Sequence, residues 1–230
     1  MAVVAHDLAL LSPEPDVVSP LRTTAELLAH PALRLLGEDV APAPEGVPAW
    51  SQAELAGRLC ELSAGADGAL LSAAMSVVLD AQLTGDPVAW VTATAATFYP
   101  PDVAACGVDL AALVVVRTGD ARTAGRAADV LLRSGAFGLV VLDLGTNTAL
   151  PTPLQGRLVQ LALKHDAAVL CLTAKQSSAA SLGSLVSLRG QVRRRRTGPG
   201  YVCDIGILKD KRRGPGWTIE ERRRGPDGLH

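Results

Sequence analysis

The sequence predicts an α/β domain: a three-layer core with a mostly parallel, twisted sheet, helices on both faces and an antiparallel C-terminal extension. Three observations carry this. Between residues 59 and 174, short strings of Val, Leu and Ala alternate with breaker-free stretches of helical length, the pattern of βαβ units. The strings are apolar at nearly every position, as strands covered on both faces must be. After residue 185 the helical stretches stop, and Gly-Pro turns at 198–200 and 214–216 separate the remaining strands; such turns join antiparallel neighbours.

At 230 residues the chain is long enough for one large domain with a loose terminal segment. Hydrophobic residues make up 48% and charged residues 20%, which excludes disorder throughout. Aromatics are 3%, so Ala, Val and Leu must build the core. No apolar run approaches the roughly 20 residues that span a bilayer. The N-terminus has no basic region followed by a long apolar stretch, so no signal peptide is expected. Cys60, Cys106, Cys171 and Cys203 form no CxxC pair and no zinc spacing, and read as reduced, buried thiols of a cytoplasmic protein. The four histidines lie far apart and make no HxxxH; no metal site and no cofactor are expected.

Residues 1–50, rich in proline, read as an irregular segment with short helices (Thr24 to His30 among them) and a linker at 41–48. Ser51 and Glu54 have the spacing of a capping box and open the main domain, 51–225. Strands follow at 59–62, 88–92, 113–117, 139–143 and 168–173. Helices fall at 70–83, 101–106, 121–133 and 153–165. Ser134-Gly135 closes the third of these helices, and Lys164 and His165 suit the C-terminal dipole of the fourth. The final strands are expected near 185–193, 200–209 and 217–220, with a tail at 226–230.

Three stretches carry a family resemblance: Tyr99 to Arg117, with its Gly107-Val-Asp turn; Ala128 to Asp143, with Leu132-Arg-Ser-Gly-Ala before an apolar strand; and Leu185 to Lys209. In order and spacing they resemble the RecA recombinase superfamily. Among its branches the chain is similar to the ImuA-type accessory proteins, short members that lack a working P-loop. The resemblance implies a RecA-like core and a role in SOS-induced, error-prone translesion DNA synthesis. It also implies partners: an ImuB-type polymerase-like subunit, an error-prone polymerase and RecA, with nucleoid association. A SulA-like cell-division inhibitor is a remoter relative.

A P-loop needs two glycines, a lysine and a hydroxyl, because backbone amides wrap the phosphates, the ammonium neutralises them and the hydroxyl holds Mg²⁺. The corresponding stretch here is Ser63-Ala-Gly65-Ala-Asp67-Gly68-Ala69-Leu70. Ser63 stands at the first glycine, Ala69 at the lysine and Leu70 at the hydroxyl, and Asp67 adds negative charge. Nothing positive or metal-binding is expected to face such a loop. Asp143 ends an apolar strand as a Walker B Asp does; it reads as a Mg²⁺ ligand or, preferably, as a cap on the turn before Gly145. In active relatives a catalytic glutamate falls near Thr94 and a strand-end sensor pair near Thr173 and Ala174. None of these is a carboxylate here. The chain is therefore expected to be no enzyme, with a residual ATPase as the rival reading.

The basic residues concentrate late: Arg189, Arg193, Arg194, Arg195, Arg196, Lys209, Lys211, Arg212, Arg213, Arg222, Arg223 and Arg224. Consecutive arginines on a strand point to both faces, so that strand end must project into solvent. Lys209 to Arg213 are expected close to it. Two readings stay open: a patch for DNA phosphates or an acidic partner, and a charged edge that blocks aggregation. Tyr201 and Trp217 are the only aromatics nearby, too few for base-specific stacking. The two loops that grip DNA in RecA relatives correspond to 144–153 and about 174–183. Both are nearly uncharged apart from Lys175, so DNA contact would fall to the basic C-terminal elements. By the same resemblance, Leu33 to Leu36 are a candidate oligomer contact.

Overall fold

The structure, a computed structural model, describes residues 49–65, 68–93, 98–146, 148–197 and 200–224. The expectations for 1–48, Asp67, Thr94 and the 226–230 tail lie outside those residues.

The elements run α1 (Gln52–Leu55), β1 (Leu59–Ala64), α2 (Leu70–Leu83), β2 (Val88–Thr92), α3 (Pro100–Ala105), a 3-10 turn (Leu110–Ala112), β3 (Leu113–Arg117), α4 (Ala121–Arg133), β4 (Leu139–Gly145), α5 (Thr152–His165), β5 (Ala168–Ala174), β6 (Leu188–Thr197), β7 (Gly200–Asp210) and β8 (Thr218–Arg224). One eight-stranded sheet has the order β3-β2-β4-β5-β1-β6-β7-β8. The pairs from β3 to β6 are parallel, and β7 and β8 complete the sheet antiparallel.

Strand alternation divides the core. Cys60, Leu62, Trp90, Val141 and Leu170 face α2 together with Ala74, Val77 and Val78. Leu59, Val91, Val140, Leu142 and Val169 face α4 and α5 together with Ala124, Ala128 and Leu158. Trp50 is buried in the first cluster. Most of these side chains are small, so helix and sheet lie close, and burying each Val or Leu contributes about 1.5–3 kcal/mol.

Local chemistry sets the element ends. Asp120 caps α4, accepting from the Thr123 amide at 2.7 Å, and Gly135 follows at φ +69°. Ser51 caps α1 as expected, accepting from the Glu54 amide at 3.4 Å. Glu54 does not complete the box; its carboxylate turns to Arg58 (3.1 Å) and Arg213 (2.9 Å), since two cations outbid one amide.

Three expectations need correction. β1 continues through Ser63 and Ala64, so Ser63 is a strand residue, paired with Thr173 and Gln191. The sixth strand starts at Leu188 rather than Leu185 and runs parallel to β1, so antiparallel pairing begins only with β7. Finally, Leu188 pairs with Asp210 and Arg196 with Tyr201. Lys209 to Arg213 therefore lie at the opposite end of the hairpin from Arg193 to Arg196, roughly 20 Å away at about 3.3 Å per residue.

Candidate functional site

The C-terminal ends of β1 and β5 and the middle of β6 meet at a cleft of about 280 Å³ lined by Gly65, Gly68, Gln176, Ser177, Gln191, Val192, Arg193 and Arg194. The turn from β1 to α2 forms one wall. Gly68 has no room for a side chain: a Cβ would fall 2.2 Å from Ala64 Cβ and 3.1 Å from the Val192 carbonyl oxygen. A Cβ on Gly65 would meet the Gln176 side chain at 2.6 Å. Ala69 stands at the N-cap of α2 with no side-chain cap. The Ser63 hydroxyl points away from the turn, donating to Gln191 Oε1 at 2.7 Å. The described turn residues Gly65, Gly68 and Ala69 carry neither an ammonium nor a hydroxyl, and the Gln176 side chain lies against Gly65. One expectation is overturned: positive residues do line this cleft, since β6 carries Arg193 and Arg194 past it.

Beneath the cleft is a buried ionic network that the sequence reading missed. Glu61, in the middle of β1, is 0% exposed. Its carboxylate takes Lys175 Nζ at 2.5 Å, the Thr173 hydroxyl at 3.0 Å, the Ser181 hydroxyl at 2.9 Å and the Leu182 amide at 2.9 Å. Arg189 Nε lies 3.9 Å away. Arg189 is buried and donates to the carbonyls of Ala179 (2.5 Å) and Gln176 (3.2 Å). Its assignment to a surface binding patch is therefore wrong: it ties the 176–182 segment to the sheet. The same contacts absorb Lys175, the one charge expected in that loop, and Thr173. The signal was present as polar residues at alternate positions on adjacent strands, Glu61 and Ser63 beside Arg189 and Gln191.

Asp143 is buried at the end of β4, where a bulge separates it from Gly145 (φ +56°). Its carbonyl accepts from the Ala93 amide at 2.9 Å. Among the described residues no group of three His, Cys, Asp or Glu side chains is placed to hold a metal. No described helix is long and apolar enough to cross a membrane.

The predicted projection of the arginine strand is observed. Leu188 to Val192 are buried, whereas Arg193 to Thr197 are exposed. On one face Arg195 pairs with Asp204 at 3.3 Å and Glu220 at 3.6 Å. On the other, Arg194 lies over the Tyr201 ring, 6.0 Å from its centroid, while the Tyr201 hydroxyl meets Ser72 Oγ at 3.3 Å. Among the described residues Arg193, Arg194 and Arg196 make no ion pair. β8 adds to the same end: Arg222 pairs with Val202, Arg223 with Tyr201 and Arg224 with Gly200.

The basic turn at the far end is engaged in contacts within the fold. Arg58, 2% exposed, bonds Asp210 at 2.6 Å and the Ser187 carbonyl at 3.0 Å. Arg213 pairs with Glu54 and covers Trp217, and Arg212 donates to the Ala56 carbonyl at 3.3 Å. Burial pushes the Asp210 carboxyl up, but the Arg212 amide and the Arg58 guanidinium outweigh it and hold it below the usual carboxylate range. Lys209 donates to the Gly183 and Ser184 carbonyls, both at 3.4 Å. Partial burial and the nearby Lys211 lower its amine below the ordinary lysine value, against the opposing pull of Glu61. Lys209, Arg212 and Arg213 thus clamp the β7–β8 turn, leaving Lys211 exposed at its tip.

A parallel sheet between two helix layers, closed by antiparallel C-terminal strands and with its cleft at the strand ends, is a RecA-like fold. A solved structure entitled "Crystal structure of the RadB recombinase" shares it: TM-score 0.56, 16% identity, covering 74% of this chain and 92% of that one. No protein-family model matches the sequence, and no curated protein matches it.

Proposed function

We propose that this chain is a non-catalytic, RecA-like accessory protein of the ImuA type, acting in SOS-induced, error-prone translesion DNA synthesis. It docks an ImuB-type polymerase-like subunit, an error-prone polymerase or RecA through the arginine end of β6–β8. One observation carries the reading: Arg193 to Arg196 are held out in solvent, beside a β1–α2 turn whose lysine and hydroxyl positions are Ala69 and Leu70. A fold that keeps its cleft, lacks the phosphate-binding side chains and displays cations suits recognition rather than turnover. Likeness to a recombinase fits a place in DNA repair. In a pull-down, wild type is expected to capture the polymerase-like subunit or RecA, and the Arg193–Arg196 to Ala variant to lose it. Absence of capture, with normal mutagenesis in a deletion strain, refutes the role. Calorimetry with Mg·ATP is expected to show no heat up to millimolar nucleotide; saturable heat restores the ATPase reading.

The arginines on both faces of the strand end support a second reading, sequence-independent DNA binding. Its mark is affinity that falls steeply with salt, the logarithmic slope losing about one for each phosphate contact removed.

A further inference from the structure

Among the described residues β8 is the last strand of the sheet and pairs with β7 alone. Among those residues no strand pairs with its outer edge, whose amides and carbonyls are a template for another strand. A single-sign charge run would repel an identical edge. The β8 sequence, Thr218-Ile-Glu-Glu-Arg-Arg-Arg, instead places two carboxylates ahead of three guanidiniums. Turned end for end, the acidic half of one strand meets the basic half of another.

We infer that β8 is a self-complementary interface through which two copies of this chain join edge to edge into one continuous sheet. Facing residues of an antiparallel pair share a face of the sheet, so a twofold axis normal to the sheet must set odd positions opposite odd and even opposite even. With the axis at Arg222, Glu221 faces Arg223 of the second copy and Glu220 faces Arg224, each pair occurring twice. The two Arg222 residues meet at the axis, a like-charge contact, each diagonal to one Glu220 and one Arg224, and the four opposite-charge pairs outweigh it. Neighbouring registers are poorer. An axis at Glu221 also sets one charge against its own copy and keeps only two opposite-charge pairs, Glu220 with Arg222, because Ile219 then faces Arg223; an axis at Arg223 sets Arg222 against Arg224. Glu220 is exposed, and among the described residues it pairs with Arg195, itself exposed, at 3.6 Å. Glu221 is partly buried and steadied by Ser76 at 3.0 Å. Cross-strand opposite charges stabilise a pair and like charges destabilise it, so the strand selects both its partner and its register. The pairing is independent of the proposed accessory role: failure to bind a polymerase subunit leaves it standing, and a monomer leaves that role standing.

Light scattering on the full chain tests it. Wild type is expected to dimerise at low ionic strength and to dissociate near 1 M salt, where the Debye length is about 3 Å. Glu220→Arg with Glu221→Arg, and separately Arg223→Glu with Arg224→Glu, should each be monomeric. Mixed one to one, the two variants should form a heterodimer, because all four facing pairs regain opposite charge. Arg222→Cys provides a second readout: thiols across the axis sit on Cα atoms about 4.5–5.5 Å apart, within disulfide reach. Oxidation should give a covalent dimer that Lys211→Cys, at the far turn, does not. A wild-type monomer at low salt, charge-reversed variants that still dimerise singly, or a mixture that stays monomeric overturns the inference.

Discussion

Replacing Glu61 by Ala should cost this protein a large share of its stability. The carboxylate is fully buried and faces Lys175 at 2.5 Å and Arg189 at 3.9 Å. Arg189 cannot turn to water; Lys175 is 15% exposed and can do so in part. Removing one member of a buried ion pair costs about 3–5 kcal/mol. The Thr173 and Ser181 hydroxyls and the Leu182 amide lose their acceptor as well, worth about 1 kcal/mol each where water does not replace it. The lysine's access to solvent offsets part of this, so about 4 kcal/mol is expected. For a chain of this size 1 kcal/mol shifts Tm by about 2–4 °C, which corresponds to a fall of about 8–16 °C. Glu61→Gln keeps the shape and one acceptor and should lose roughly half as much. Urea unfolding followed by circular dichroism measures it through the midpoint at constant slope. Amide exchange in 176–182 should accelerate in parallel, because Glu61 and Arg189 anchor that segment. A loss below about 1 kcal/mol for Glu61→Ala, with slow exchange preserved in 176–182, would refute the reasoning. Joint replacement of Glu61, Lys175 and Arg189 by Leu and Met should recover most of the loss, since a buried triad is often no more stabilising than apolar residues of the same volume.

Asp210→Asn should weaken the fold at neutral pH. The Asp210 carboxyl is depressed in the folded state, so its contribution is complete above the unfolded value of about 3.9 and fades as pH falls through the folded value. Urea midpoints of wild type and variant should converge below about pH 4, and a gap that stays constant to pH 2 counts against this. Thiol titration with an aromatic disulfide should find Cys106, partly exposed, reactive in the native protein. Cys60, Cys171 and Cys203 are buried and should react only on unfolding. Burial, against the pull of Arg58 and Arg212, pushes the Cys60 thiol up to about 12, and burial beside Glu61 pushes Cys171 up as well. More than one fast thiol would contradict this.

The strands and helices of the parallel region were legible because apolar strings flanked by Gly, Asp and Pro specify their own period and ends: β2, β3, α2 and α4 start and stop where the sequence places them. Register was not legible. Nothing local to Leu185-Val-Ser-Leu says that pairing starts at Leu188, because the Ser187 amide is bonded instead to the Leu59 carbonyl at 2.9 Å, a residue far away in sequence. The separation of the two basic groups followed from that register alone. Ser63 was misplaced for a related reason. Treated as the start of a loop, it is instead the last but one residue of a strand, fixed by Gln191 across the sheet.

The arginines show how little residue type decides by itself. Arg189, Arg193 and Arg195 share a strand and, by alternation, a face. Arg189 lies where the 176–182 segment covers that face and where Glu61 is already buried, so its guanidinium turns inward and orders a loop. Arg195 lies past the end of β1, which pairs with β6 only from Leu188 to Gln191, and finds Asp204 and Glu220 at the surface. Arg193, just past that last pairing, has a carboxylate opposite it in Asp204 yet makes no ion pair among the described residues, because Arg195 occupies that carboxylate. The length of β1 thus decides which arginines hold the fold together and which remain available to a partner. Extending the cover over Arg193 would need no change in the arginines at all, only a longer neighbouring strand.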